Sequence, residues 1–126
     1  MHEETRQKDR KYDSLEIRQI KDRQFIFRER EIAEFAFLLV SGVVQLIKTK
    51  GEEDIVLATL EKGMLFGEIA LVDNQNRMVS ALAVGPVQVK VIPRDVLDKK
   101  MESMDPFARG FIRGLAQQVR GMAKFV

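Results

Sequence analysis

Residues 63–77 read Gly63-Met64-Leu65-Phe66-Gly67-Glu68-Ile69-Ala70-Leu71-Val72-Asp73-Asn74-Gln75-Asn76-Arg77, and the order of these side chains decides how the rest of the chain is understood. Gly67 permits a tight bend. Residues 68–72 then suit one helical turn whose free N–H groups point back at its start, and a polar loop leads on to an arginine. Free amides and a guanidinium converging on one point make an anion site, in which Arg77 can grip a phosphate through two parallel hydrogen bonds. Glu68 is the odd member, because a carboxylate beside a phosphate is repulsive unless it serves a neutral group such as a ribose hydroxyl. The trio points to a sugar phosphate and away from a bare anion.

On either side of this stretch the chain is a train of short apolar runs: Leu15–Ile20, Phe25–Arg28, Phe35–Val40, Val43–Lys48, Ile55–Leu60, Met78–Val84 and Val87–Ile92. Several alternate with period two, as Val87, Val89 and Val91 do against Gln88, Lys90 and Ile92, and they are rich in Val, Ile and Phe. Ser41-Gly42, Lys50-Gly51, Lys62-Gly63 and Gly85-Pro86 stand between them at turn positions. Runs this short, with no helix-length segment between them, predict an antiparallel barrel, roll or sandwich and exclude βαβ units. Residues 1–13 are highly charged, with Tyr12 as the only bulky apolar group, and are expected to form a tail ahead of a single domain over residues 14–126.

From Pro93 onward the period changes. Pro93 suits the first turn of a helix, and Val96, Leu97, Met101 and Met104 recur at helical spacing. Asp105-Pro106 starts a second helix, with Asp105 as N-cap and Pro106 at the first helical position. Downstream, Ala108, Ile112, Leu115, Val119, Met122 and Val126 make a narrow heptad-like stripe, flanked by Phe107 and Phe111. So regular a seam predicts a homodimer through the C-terminal helix, the alternative being packing on the chain's own sheet. Gly110 and Gly114, four apart, call for a close packing neighbour if one continuous helix is to contain both.

The 126 residues carry 21 Lys and Arg against 19 Asp and Glu, with no cysteine and one histidine, His2. No disulfide, thiol nucleophile or His-based triad can be assembled from that inventory, and no metal site is expected. No apolar run approaches the roughly 20 residues of a membrane helix, and no signal-like segment opens the chain, so a cytoplasmic protein is expected. The net charge of +2 is local: residues 106–126 hold Arg109, Arg113, Arg120 and Lys124 and no acid. Cations are favoured near a helix C-terminus, so this reads as a solvated basic face and not as a nucleic-acid surface.

Phe66-Gly67-Glu68-Ile69-Ala70-Leu71 and the arginine that follows resemble the phosphate-binding cassette of the cyclic nucleotide-binding domain family. Phe25-Ile26-Phe27-Arg28-Glu29-Arg30-Glu31 is similar to that family's early turn, Phe37–Val44 to its Ser-Gly strand pair, and Leu60–Gly63 to the glycine turn before the cassette. The likeness runs over roughly residues 15–120 with its anchors in order. It implies a mainly β fold with α: an antiparallel β-roll (jelly-roll-like, a double-stranded β-helix) over about 14–92, with a short cassette helix and C-terminal helices over about 93–126. It implies a cyclic nucleotide ligand, cAMP or cGMP, and no other cofactor. Glu68 would accept from the ribose 2′-hydroxyl, Arg77 would pair with the phosphate, and the N–H groups of Ile69, Ala70 and Met78 would surround it behind the Gly67 bend. Phe107 or Phe111 would cover the base. No bond is broken in such a site, so the expected output is a shift of the C-terminal helix, read by the chain's own dimer or by a protein effector in trans.

Family members that regulate transcription add a helix-turn-helix after the long helix, and channels add a membrane pore before the roll; these 126 residues carry neither. The pattern departs from the family where Asn76 replaces a proline, Arg30 a glycine, and Met78 and Val79 two small residues. A methionine at position 78 either fills space the phosphate needs or turns away. The competing expectation is therefore a ligand-free interaction protein of the same fold, with Glu68 and Arg77 joined in a salt bridge. A cupin-like metalloenzyme on a similar roll is the remote alternative, since it needs several histidines.

Overall fold

The computed structural model of the chain describes residues 14–126, so the charged tail expected over residues 1–13, with His2 and Tyr12, lies outside the described residues. The elements are β1 (Ile17–Ile20), β2 (Phe25–Phe27), β3 (Phe35–Lys50), β4 (Glu53–Leu60), β5 (Leu65–Phe66), α1 (Ile69–Val72), β6 (Ser80–Pro93), α2 (Arg94–Glu102) and α3 (Pro106–Ala123). The strands form one six-stranded antiparallel sheet with the path β1-β6-β3-β4, β2 lying along β6 and β5 along β3. No ladder joins β4 to β1, so this β-rich core is an open sheet and not one closed by hydrogen bonds into the expected roll.

The turn signals at Ser41-Gly42 and Gly85-Pro86 predict breaks, yet β3 and β6 each run straight through. The ladder between them survives because its register shifts on both sides of Ser41, and bulges of this kind bend a strand without ending its pairing. Gly42 has φ +91°, and a Cβ placed on it would lie 2.4 Å from the Pro86 carbonyl oxygen, so only glycine lets the two strands touch there. Because the ladder bends at this point, Phe27, whose strand pairs at Ala81 in one half, packs its ring on Phe37 and Phe66 in the other half, with centroids 6.0 and 6.2 Å away. The concave face so formed holds the main core, with Leu39, Val44, Val87 and Val89 fully buried.

A second, smaller core explains why Ile92 is buried despite sitting on the outward phase of β6. Ala33, Ala36, Ala70, Leu71 and Ile92 pack together on the sheet's other face, with Val96 and Leu97 of α2 over them. Pro93 proves to be the residue before α2, in extended conformation, and not part of its first turn. Asp105 caps α3 as its sequence predicts, its carboxylate accepting the Ala108 N–H at 3.2 Å with Pro106 at the start of the helix. α3 is continuous through Gly110 and Gly114, although a Cβ at either would meet nothing within 4 Å, so the close neighbour expected there is not supplied by the described residues. The helix buries Ala116 and Ala123 instead, and leaves Leu115, Val119 and Met122 of the heptad-like stripe exposed.

The bend makes a specific demand. Gly42→Ala should lower stability by about 2 kcal/mol or more, since it adds a clash to a left-handed backbone, whereas Gly51→Ala, where φ is +66° and space is open, should cost only about 1 kcal/mol. Denaturant unfolding of both variants measures the difference, and equal losses would show that the Gly42–Pro86 contact is unimportant.

Candidate functional site

Gly67 ends β5 with φ +78°, and two neighbours leave it no room for a side chain. A Cβ there would sit 3.0 Å from Nη1 of Arg77 and 3.1 Å from the ring of Phe27. The bend turns the chain into α1, so the Ile69 and Ala70 N–H groups, at the start of a helical turn, have no intrahelical acceptor. The cassette thus forms locally as its residues predict.

Arg77 is almost wholly buried. Its Nη1 donates to the Gly67 carbonyl and its Nη2 to the Phe35 carbonyl, each at 2.6 Å, and the guanidinium carbon lies 4.0 Å from the centre of the Phe27 ring. Its backbone is paired as well: Arg77 N–H donates to the Glu31 carbonyl and the Arg30 N–H donates to the Arg77 carbonyl, both at 2.8 Å. Burial pushes the guanidinium down to about 10, partly offset by Glu31 and Glu68, which leaves it cationic at neutral pH. A guanidinium carries five N–H donors, so the two carbonyls leave three, Nε among them, and Nε is buried with no partner.

Glu68 does not form the salt bridge with Arg77 that the competing, ligand-free expectation requires. Its Oε2 is buried and accepts no hydrogen bond, and no ion pair joins the two side chains among the described residues. Burial therefore raises the Glu68 carboxyl above its ordinary range, with its own backbone N–H and the Arg77 charge pulling it partly back. A buried acceptor without a donor is costly to keep, and is the kind of atom a ligand hydroxyl satisfies.

Gly67, Glu68, Ile69, Ala70, Arg77 and Met78 all line one cavity of about 240 Å³, closed on its apolar side by Phe27, Leu46, Leu60 and Val79. The structure thus brings every expected cassette residue to a single wall. Met78 lines the cavity and does not turn away. The expected base-covering residues are elsewhere: Phe107 and Phe111 are 81% and 61% exposed, stacked on each other with centroids 6.4 Å apart, and neither lines the cavity. Val119 is the residue of α3 that does. A contact without any sequence signal fastens that helix in place: Arg120 of α3 makes a two-pronged ion pair with Asp73, the residue capping α1, and both side chains are largely buried. Among the described residues, no three His, Cys, Asp or Glu gather closely enough to hold a metal, and no helix is long and apolar enough to cross a membrane.

The model of the cyclic nucleotide-binding domain matches residues 17–104, which takes in the cassette and the whole sheet. The chain belongs to that family. It is 30% identical over 108 residues to the global nitrogen regulator of Synechococcus elongatus, covering 83% of this chain and 49% of the regulator. It is 35% identical to the cyclic AMP receptor protein of Thermus thermophilus over 56% of this chain and 33% of that one. Among solved structures it matches the cAMP-bound form of the EAL enzyme Bd1971 with a TM-score of 0.81 and 30% identity, over 83% of this chain and 28% of the enzyme. The chain thus spans half or less of the length of these family relatives.

The unpartnered carboxylate predicts a pH effect. A carboxyl raised by folding contributes stability that is complete below its unfolded pKa, about 4.3, and is lost as pH rises through the folded value. Glu68→Gln should therefore melt higher than the parent at pH 7 in the absence of ligand, and the gap should close as the pH falls toward 4. Thermal melts across that range test it, and a parent protein more stable than the variant at pH 7 would show that Glu68 is not strained.

Proposed function

We propose that the cavity binds a cyclic nucleotide, cAMP or cGMP, and that the domain reports its occupancy through α3 without catalysing a reaction. The observation that carries this reading is the pairing of opposite needs on one wall: a buried Glu68 oxygen lacking a donor, beside a buried Arg77 cation with donors to spare. A ribose hydroxyl and a cyclic phosphate answer the two together. The Ile69, Ala70 and Met78 N–H groups would add to the phosphate contacts, and the base would lie on the apolar wall of Leu46 and Leu60. Membership of the family supports the ligand class, as does the structural neighbour solved with cAMP. On the same grounds we infer that the bent sheet corresponds to the family's β-roll, wrapped around its core and left unclosed by hydrogen bonds.

Within one chain the covering role falls to Val119, and Phe107 and Phe111 belong to the outer face of α3. That face is the basis for a second element of the reading, a homodimer. Phe107, Phe111, Leu115 and Met122 are all exposed along one side of the helix, and none of the described residues covers them. Gly110 and Gly114 lie in open space on the same helix, where a second backbone can approach. A protein effector in trans would read the same helix.

Isothermal titration with cAMP and with cGMP tests the ligand; no heat at millimolar concentration would favour the ligand-free interaction protein. Arg77→Lys should weaken binding by about tenfold or more, because a lysine cannot keep both carbonyls and still offer two parallel donors to a phosphate. An unchanged dissociation constant would move the phosphate elsewhere. For the dimer, Leu115→Arg combined with Met122→Arg, neither of which lines the cavity, should give a monomer in light scattering. A parent protein that is monomeric at high concentration would end that part of the reading.

A further inference from the structure

Arg77 and Met78 also form part of the wall of a second hollow, of about 480 Å³, between the β2–β3 turn, the outer half of β3 and the end of α3. Four cations besides Arg77 line it, Arg30, Lys48, Arg120 and Lys124, against one acid, Glu29. Lys48 is paired with Glu29 at 3.3 Å, and Arg120 with Asp73. Arg30 and Lys124 have no carboxylate partner among the described residues, so two charges from separate elements face the hollow uncompensated.

Arg30 adds a second observation. Its φ is +76°, the left-handed region that suits glycine, and the conformation is held by the backbone pairing of the turn with Arg77. A long cationic side chain is thus carried at a position where its backbone is disfavoured, and it stands at the rim of a cationic hollow. Strained residues of this kind gather at ligand sites.

We propose that this hollow is a second binding site, for a small molecule bearing a chain of two or more phosphates. The cations come from the β2–β3 turn, from β3 and from α3, around one concavity. A single phosphate carries at most two charges, whereas linked phosphates carry more and offer oxygens to several of these cations at once. A ligand so held ties the end of α3 to the β2–β3 turn and β3, five residues beyond Val119. The two sites share Arg77 and Met78, but neither Arg30 nor Lys124 lines the first cavity, so these two cations distinguish the second site from the cyclic nucleotide reading.

The test is calorimetric titration of the full chain with inorganic tripolyphosphate at physiological salt, with ATP as a second arm and sulfate at matched ionic strength as control. Tripolyphosphate should bind saturably at one site, and more tightly than sulfate. Arg30→Gly, which suits the left-handed turn and should melt no lower than the parent, and Lys124→Gln should each weaken it by about tenfold or more. Glu68→Gln should leave it unchanged. ATP binding as tightly as tripolyphosphate places the recognition in the phosphate chain of a nucleotide, and tripolyphosphate binding alone places it in an inorganic polyphosphate. Absence of heat at millimolar tripolyphosphate, an affinity no better than that for sulfate, or full affinity in both Arg30→Gly and Lys124→Gln overturns the proposal.

Discussion

The guanidinium of Arg77 is the group on which the rest of this molecule depends. A cation this deeply buried needs compensating contacts, and here two backbone carbonyls, those of Gly67 and Phe35, each take one donor at short range while the Phe27 ring faces it at 4.0 Å. Through these contacts one side chain joins the cassette bend to the start of β3, and its backbone joins both to the turn after β2. The left-handed Gly67, the stacked Phe27, Phe37 and Phe66 and the position of the cavity all follow from where that charge has been placed. The same group is therefore a structural tie and, in the proposed reading, the positive element of the ligand site.

Glu68 illustrates the complementary cost. It is close enough to Arg77 for its charge to be felt, yet the two do not pair, because the arginine's donors are turned toward backbone carbonyls. One oxygen of the carboxylate is left buried without a donor, an arrangement that costs stability and that a ligand hydroxyl relieves in the proposed reading. Such an energy gap between the two states is what allows a ligand to shift an equilibrium.

That shift has a physical route to the long helix. α1 is a single turn, capped by Asp73, and Arg120 of α3 is fastened to that residue by a largely buried ion pair. Removing one partner of such a pair strands a charge, at a cost of about 3–5 kcal/mol, so α1 and α3 move together or the pair breaks. Val119, one residue earlier, lines the cavity. The cassette and α3 are therefore joined at adjacent residues, one through charge and one through apolar contact.

What could be read from the sequence was local. The Gly67 bend, the helical turn after it, the Asp105 cap and the apolar phases of the strands each depend on neighbours within a few residues, and each is found where the chain suggests, apart from small shifts at the element ends. The breaks expected at Gly42 and Gly85 failed because a glycine can mark a bulge as well as a turn, and only the facing strand shows which. β5 was missed because two residues carry no period, and the Asp73–Arg120 pair because 47 residues separate its members. The heptad-like stripe was legible, but not which side of α3 is buried; Ala116 and Ala123 are the residues it buries, which leaves Leu115 and Met122 exposed. Sequence alone determined the identity of the cassette, since its chemistry lies in consecutive side chains and backbone freedom. Tertiary structure alone decided that Arg77 holds carbonyls and not Glu68, and that Val119 and not Phe107 or Phe111 faces the cavity, because both depend on how distant segments divide a limited interior.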